Sequence, residues 1–308
     1  MTEIRKGIVV AYVVSGTVAA GAVTPVDTAT NTAGSPIVIG GGAQSIVATP
    51  NGKTVYVPNG VLNTVTPIRT VTNTARPPIS VGDEPFALVV TPDGRRVYVG
   101  NTNSGSVTPI RVRTNSPLAD IPVGNGPFRV VITPNGRTVY TVNDSDNTVT
   151  PIRVSTNTAE LAIPVLGSPN CAAITPDGKT LYVGNLNDAT VTPIRTASNT
   201  ALPAIPVGDQ PFDMAVTPNG RTLYVLNSGG NTVTPIRMAT NTAGAAIPVP
   251  PQAFTLAVTP NGKTLYVTAG PNLLIPIRIS TNHPGTPIIV GTSPSAIAFA
   301  GLEDDDLR

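Results

Sequence analysis

Residues 85–123, PFALVVTPDGRRVYVGNTNSGSVTPIRVRTNSPLADIPV, contain four short apolar runs separated by clusters of turn-forming residues. The runs cover 85–90, 96–99, 106–110 and 117–123, lengths that are typical of strands rather than helices. Between the first two runs, Thr-Pro-Asp-Gly combines a proline that fixes φ with a glycine that accepts positive φ, as a tight turn requires. The stretch therefore predicts a four-stranded antiparallel meander.

The same stretch recurs along the chain with a period of 42 residues. The phrase Thr-Pro-Asn/Asp-Gly begins at Thr49, Thr91, Thr133, Thr175, Thr217 and Thr259. A fixed period in this range, with four strands in each unit, is typical of the blades of a β-propeller. The 33 prolines and 29 glycines also leave no room for helices of ordinary length. The sequence therefore predicts an all-β fold.

The number of blades follows from the strands. The second strand of each repeat carries one tyrosine, and these are all seven tyrosines of the chain: Tyr12, Tyr56, Tyr98, Tyr140, Tyr182, Tyr224 and Tyr266. The first repeat lacks an innermost strand, whereas residues 294–300 supply one without successors. We expect the two segments to complete one blade, which closes the ring and removes an open sheet edge. The prediction is a single seven-bladed β-propeller over residues 1–300, followed by an acidic tail at residues 301–308.

The repeat also carries a recognisable combination of motifs. Tyr-Val-x-Asn after Thr-Pro-Asp-Gly, then Asn-Thr-Val and Ile-Pro-Val-Gly-x-x-Pro-Phe, recur along nearly the whole chain. This combination resembles the YVTN-type propeller repeat. The resemblance implies the fold but no single activity, because propellers of this type are similar both to scaffold modules and to enzyme domains. The chain departs from the repeat at the end of the third strand, where only Asp27 keeps the usual acidic residue and arginines stand elsewhere.

Composition excludes several kinds of site and partner but leaves the compartment open. The single cysteine, Cys171, excludes internal disulfides and cysteine-based zinc sites. Because the chain has no tryptophan and every tyrosine belongs to the repeat, it lacks an aromatic platform for single-stranded nucleic acid. Residues 1–22 imitate a signal peptide, but we interpret them as strands of the first blade. We therefore expect a cytoplasmic monomer without a membrane span that does not bind nucleic acid.

The charges separate by face. The loops between second and third strands, and between blades, define a top face with acidic residues at Asp83, Glu84, Asp144, Asp146, Asp188, Asp209 and Asp213. The opposite face carries the lysines and arginines of the turns. These residues could bind a polyanion. Because they recur at the same position of each repeat, we interpret them instead as solvent-exposed turn residues. Residues 144–147, Asp-Ser-Asp-Asn, offer oxygen ligands but lack the glycine and distal glutamate of a calcium loop, so we predict no metal site.

Residues that break the repeat are the candidates for function. The position after the recurrent phenylalanine reads Ser45, Ala87, Arg129, Cys171, Asp213, Thr255 and Ala296. Arg129, Cys171 and Asp213 thus replace small residues in three successive blades, and Asn170 replaces the phenylalanine beside them. We predict that these four residues, termed the arc, form a ligand site at the channel mouth. Arg129 would hold an anionic or carbonyl oxygen, and Asp213 would act as acceptor or general base.

Two classes of function remain. The regular repeat, without a nucleophile elbow, a phosphate loop or paired histidines, favours a module that binds a small molecule or a protein at the top face. The alternative is a lyase- or cyclase-type enzyme of small-molecule metabolism that uses carboxylate and guanidinium groups. In either case Asp83, Glu84 and Asp209 would form the rim, and the sequence identifies no cofactor. A structural alternative for the arc is an ion pair between Arg129 and Asp213 that only fills the channel.

Overall fold

The computed structural model describes residues 10–16, 21–27, 32–43, 45–259 and 261–289. Within these residues every regular element is a β-strand, and the strands form seven antiparallel sheets. Each sheet is one blade, so the predicted all-β, seven-bladed propeller is confirmed. The described part of the chain contains no helix long and apolar enough to cross a bilayer.

Among the described residues, the first compact unit extends to Pro122 and contains blades 1 to 3. Blade 1 consists of β1 (Val10–Gly16), β2 (Gly21–Asp27), β3 (Thr32–Ala33) and β4 (Ile37–Ile39). Blade 2 consists of β5 (Val47–Ala48), β6 (Thr54–Asn59), β7 (Thr64–Arg69), β8 (Thr74–Ala75) and β9 (Ile79–Ser80). Blade 3 consists of β10 (Pro85–Val90), β11 (Arg96–Asn101), β12 (Ser106–Arg111), β13 (Ser116–Pro117) and β14 (Ile121–Pro122).

The second compact unit begins at Val123 and contains blades 4 to 7. Blade 4 consists of β15 (Pro127–Ile132), β16 (Thr138–Asn143), β17 (Thr148–Arg153), β18 (Thr158–Ala159) and β19 (Ile163–Pro164). Blade 5 consists of β20 (Pro169–Ile174), β21 (Thr180–Asn185), β22 (Thr190–Arg195), β23 (Thr200–Ala201) and β24 (Ile205–Pro206). Blade 6 consists of β25 (Pro211–Val216), β26 (Thr222–Asn227), β27 (Thr232–Arg237), β28 (Thr242–Ala243) and β29 (Ile247–Pro248). Blade 7 consists of β30 (Leu256–Val258), β31 (Thr264–Ala269), β32 (Leu273–Arg278), β33 (His283–Pro284) and β34 (Ile288–Ile289).

Blades 2 to 7 share one sheet topology. The innermost strand pairs with the second, the second with the third, and the third with two short outer strands. In blades 3 to 6 the innermost strand is bulged one residue after its first proline, between Pro85 and Ala87 in blade 3, for example. The bulged position is that of the recurrent phenylalanine. Because a bulge re-aims the side chains next to it, the bulge sets the direction of the arc residues that follow.

The Thr-Pro-Asn/Asp-Gly phrase forms the predicted tight turn. In blade 3 the Gly94 amide donates to the Thr91 carbonyl over 2.8 Å, and Gly94 has a φ of 68°. Asp93 Oδ1 accepts the Thr91 hydroxyl over 2.5 Å and the Arg95 amide over 3.0 Å. The Thr91 hydrogen bond is the main reason why the pKa of Asp93 is lowered. Asparagine makes the same contacts in other blades, so local side-chain chemistry stabilises this turn throughout.

The tyrosines are part of the scaffold, as predicted. Tyr56 and Tyr182 are almost completely buried on the second strands, and burial raises the pKa of each to about 12. The hydroxyl of Tyr182 donates to Asn241 Oδ1 of the next blade over 2.7 Å, and Asn241 has a φ of 50°. The same bond joins Tyr12 to Asn73, Tyr56 to Asn115, Tyr140 to Asn199 and Tyr224 to Asn282. Each of these five tyrosines thus links its blade to the left-handed bend of the next.

We expect Tyr182→Phe to lower the free energy of unfolding by about 1 kcal/mol, because it removes this hydrogen bond without opening a cavity. Urea unfolding measures the effect. Asn241→Gly is the matched control, since glycine keeps the left-handed backbone but lacks the acceptor. In the Asn241→Gly background, Tyr182→Phe should cost less than in the native chain; an equal cost in both would contradict the link.

Part of the N-terminal segment forms the strands that we expected in the first blade. β1 and β2 pair antiparallel with Val10 opposite Asp27, as expected for a blade. The predicted closing strand at residues 294–300 and the tail at residues 301–308 lie outside the described residues. Closure of the ring by that strand, and the domain boundary at residue 300, therefore stay predictions.

Candidate ligand site on the inner strands

The four arc residues lie near the start of three innermost strands in the second unit. Arg129 lies on β15, Asn170 and Cys171 lie on β20, and Asp213 lies on β25. Asn170 occupies the bulge itself, while the other three follow the bulge of their strands. The structure therefore places Arg129, Cys171 and Asp213 at equivalent positions of successive blades, as the register of the sequence predicts.

Arg129 retains hydrogen-bonding capacity. Its Nε donates to the main-chain oxygen of Asn170 over 3.2 Å, and its guanidinium carbon lies 5.7 Å from the ring centroid of Phe128. The side chain is half-buried, and within the described residues its two terminal nitrogens have no partner. A guanidinium that is anchored at Nε and open at both terminal nitrogens can receive an oxygen ligand in a bidentate manner.

Asn170 has an unsatisfied buried oxygen. The residue is only 7% exposed, and its Oδ1 finds no hydrogen-bond partner in the described part of the chain. Leaving a buried polar group unpaired costs about 1–3 kcal/mol, so such a group calls for a partner. A hydroxyl or amine of a ligand would satisfy it. The sequence signal was the replacement of the recurrent phenylalanine, but the missing partner is visible only in the structure.

Cys171 is a buried thiol rather than a nucleophile. It is 1% exposed, and its Sγ donates weakly to the Pro211 carbonyl over 3.7 Å. Burial raises the pKa of the thiol far above its ordinary value; the nearby Asp213 raises it further, and Arg129 opposes both. Since only the thiolate is a good nucleophile, Cys171 contributes packing to the arc and no covalent chemistry.

Asp213 is engaged by three donors. Its Oδ1 accepts the Met214 amide over 2.9 Å, and its Oδ2 accepts the Thr255 hydroxyl over 2.7 Å and the Leu256 amide over 3.0 Å. Thr255 and Leu256 lead into β30, so this carboxylate joins blade 6 to blade 7. Between Arg129 and Asp213 the structure shows no ion pair; the three pairs of the described residues lie elsewhere. The structural alternative of an ion pair between Arg129 and Asp213 is thus not what the structure shows.

Each arc residue that follows a bulge contacts the next blade. Arg129 donates to Asn170, Cys171 donates to Pro211, and Asp213 accepts from Thr255. The residues that break the repeat therefore also connect inner strands. Among them, Arg129 alone keeps donors that could bind a ligand.

The predicted rim residues are divided between the two units. Asp209 is exposed in the second unit, and its carbonyl accepts the amides of Gly229 and Gly230. In the first unit, Asp83 Oδ1 accepts Asn63 Nδ2 over 2.8 Å, and Glu84 has a φ of 54°. Asp209 thus shares a unit with the arc, whereas Asp83 and Glu84 do not.

Other acidic residues of the top face accept hydrogen bonds from neighbouring loops. Asp146 accepts the main-chain and side-chain nitrogens of Asn125, and Asp144 Oδ1 accepts the Ser168 hydroxyl over 2.6 Å. Among the residues that the structure describes, no three His, Cys, Asp or Glu side chains come together as metal ligands. These carboxylates therefore stabilise the loops between strands.

Phenylalanines provide apolar surface next to the arc positions. The rings of Phe212 and Phe254 lie 5.3 Å apart at an interplanar angle of 51°, a favourable aromatic arrangement between successive blades. Phe254 is nevertheless 49% exposed, so these rings both pack blades together and present apolar surface to solvent.

The sequence matches the family model described as Lactonase, 7-bladed beta-propeller, over residues 114–245. This match runs from the outer strands of blade 3 into those of blade 6 and includes all four arc residues. No curated protein matches the chain. The match and the seven sheets together define the protein as a seven-bladed β-propeller.

Two solved structures share the fold. One, Kuenenia stuttgartiensis hydrazine synthase, is 20% identical with a TM-score of 0.67, covering 91% of this chain and 95% of that chain. The other, a functionally unknown protein from Desulfotomaculum acetoxidans, is 19% identical with a TM-score of 0.68, covering 88% of this chain and 96% of that chain. At these identities the likeness concerns the fold alone.

Proposed function

We propose that this propeller binds a small organic molecule at the arc, through a carboxylate or carbonyl oxygen held by Arg129. The observation that carries the proposal is the half-buried guanidinium, which is anchored to Asn170 at Nε and has no partner at its terminal nitrogens within the described residues. A positioned guanidinium with open donors suits an oxygen anion better than a lysine would, because its planar fork matches the carboxylate.

The neighbouring groups define the ligand further. The unsatisfied Oδ1 of Asn170 can accept a hydrogen bond, so a hydroxyl or amine on the ligand would complement it. The Phe128 ring under the guanidinium offers an apolar contact for a short carbon skeleton. A hydroxycarboxylic acid, or a lactone that keeps a further free hydroxyl, combines these features. This proposal is the binding module that the resemblance to the YVTN-type repeat allows, with a small molecule as its ligand at the top face.

An enzyme is the second candidate, and the lactonase-type family match favours it. In lactone hydrolysis, water adds to the carbonyl carbon, the ring C–O bond breaks, and the ring oxygen leaves as a hydroxyl. Arg129 would stabilise the charge that develops on the carbonyl oxygen. Asp213 is the carboxylate of the arc, but the three donors that it already binds weaken it as a base. We therefore place binding first.

A thermal-shift panel of lactones, hydroxycarboxylates, amines and divalent metals tests the proposal. A hydroxycarboxylate or lactone should raise the melting temperature, since a ligand at 100 times its Kd adds about 2.7 kcal/mol to stability. Arg129→Ala should abolish the shift. Arg137→Ala, which removes an exposed turn arginine of the same blade, should leave it unchanged.

Two results would contradict this proposal. One is a panel in which no such compound raises the melting temperature of the native chain, and the other is a rise in melting temperature that persists in Arg129→Ala. Consumption of a lactone with release of one acid equivalent would move the conclusion to the enzyme.

A further inference from the structure

A cavity lies on the turn side of the second unit, and none of the arc residues lines it. It has a volume of about 1030 Å³, and Arg221, Arg237, Gly244 and Asn282 lie along it. We call it the turn-side cleft. Its arginines belong to the basic positions that repeat around the chain, which is why the sequence marked them as solvated turns.

In blade 4 the strand-end arginine binds a carboxylate of the same blade. Glu160 Oε1 accepts Arg153 Nη2 over 2.6 Å and Arg153 Nε over 3.2 Å. Glu160 Oε2 accepts Asn199 Nδ2 over 2.8 Å, and Asn199 Oδ1 in turn accepts the Tyr140 hydroxyl. The carboxylate is therefore held between a guanidinium and an amide, beside a cavity of about 560 Å³.

The turn-side cleft repeats this arrangement without the carboxylate. Arg237 lies opposite Thr222 as Arg153 lies opposite Thr138. The Gly244 amide donates to the Pro235 carbonyl over 2.7 Å, the distance at which Glu160 donates to Pro151. Asn282 Oδ1 accepts the Tyr224 hydroxyl over 2.7 Å. The backbone and the donors are thus conserved between the two blades, while glycine takes the place of Glu160.

The donors of the cleft are open. Across the residues that the structure describes, neither the guanidinium of Arg237 nor Nδ2 of Asn282 has a partner. Arg221 likewise lacks an acid in its turn, because Asn219 stands where blade 5 has Asp177, which pairs with Lys179. Two guanidinium groups therefore line the cleft without an ion pair of their own. Asp177 also lines it, but its carboxylate pairs with Lys179.

We infer that the turn-side cleft binds the carboxylate of a ligand in the position that the Glu160 carboxylate occupies in blade 4. Arg237 and Asn282 receive its two oxygens, and Arg221 adds positive charge. Met238, Pro218 and Pro235 line the same cavity and contact the carbon skeleton. The carboxylate belongs either to a free small acid or to an acidic side chain of a protein.

Glutarate, which carries the end of a glutamate side chain, is the probe. It is titrated calorimetrically against the full chain carrying Arg129→Ala, so that binding at the arc does not contribute. In this background we expect one saturable site. Gly244→Glu should weaken glutarate at least tenfold, because its carboxylate competes for Arg237 as Glu160 does for Arg153. Gly244 has no positive φ, so its backbone accepts a side chain, and a Cβ there would lie 3.3 Å from Pro235 Cγ, a tight contact that a small shift of the proline ring relieves.

Four further variants complete the test. Gly244→Ala, which adds a methyl group without charge, should retain the affinity within about twofold. Glu160→Gly should free Arg153 and Asn199 and raise the stoichiometry from one site to two. Arg237→Gln should abolish the original site, whereas Arg195→Gln, a strand-end arginine outside the cleft, should not.

The capped peptide acetyl-Ala-Glu-Ala-amide distinguishes the two sources of the carboxylate. Binding of glutarate alone points to a free acid, and binding of both to an acidic protein segment; either supports the inference. Absence of binding by both probes, or equal affinity in the native and Gly244→Glu cleft, overturns it. Failure at the arc leaves this result unaffected, since Arg129 is already replaced.

Discussion

Replacing Asp213 with alanine is expected to lower the free energy of unfolding by about 3 kcal/mol, one of the largest single effects that we foresee. The Asp213 carboxylate accepts the Leu256 amide and the Thr255 hydroxyl, both at the start of the innermost strand of blade 7. Hydrogen bonds to a charged acceptor are stronger than neutral ones, and alanine leaves the Leu256 amide without its partner. Guanidinium unfolding of the purified chain measures the change.

Two variants make this prediction specific. Asp213→Asn keeps an acceptor oxygen and should recover part of the loss. Asp209→Ala removes an exposed carboxylate from the loop before the same strand and should change stability by no more than about 0.5 kcal/mol. If Asp213→Ala unfolds like the native chain but loses a ligand found in the panel, then Asp213 serves the site and not the link between blades.

Gly184→Val is expected to have the second large effect and to lower the free energy of unfolding by about 3 kcal/mol. Gly184 on β21 lies opposite Cys171. A Cβ atom at Gly184 would overlap Cys171 Sγ and would lie 3.2 Å from Met214 Cε. Because interiors are close-packed, the added methyl groups have no space, and the inner strands of blades 5 and 6 must shift.

A double-mutant cycle isolates the cause. Cys171→Ala removes the sulfur that meets the new side chain, so Gly184→Val should cost clearly less in the Cys171→Ala background. Valine is acceptable in principle at this register, since blade 4 has Val142 there and blade 6 has Leu226. Equal costs of Gly184→Val with and without Cys171 would show that the thiol is not the obstacle.

The sequence predicted the arc residues but not their hydrogen bonds. Arg129, Cys171 and Asp213 could be recognised because they interrupt a repeat whose other members are small. The sequence could not show that both oxygens of Asp213 are already engaged, nor that Asn170 has an unpaired oxygen. The turn-side cleft was missed because its arginines belong to the repeat. The replacement of Glu160 by Gly244 two repeats later was the only available signal.

By itself, the sequence determined the strands, their turns, the number of blades and the positions that depart from the repeat. These features follow from local chemistry, because a turn of proline, asparagine or aspartate, and glycine needs only its own side chains, and the period of 42 residues repeats that turn. The tertiary structure alone decided which departures contact the next blade and which donors stay open. Residues 129 and 170, or 237 and 282, are about 40 residues apart, and only the packing of neighbouring blades brings such pairs together.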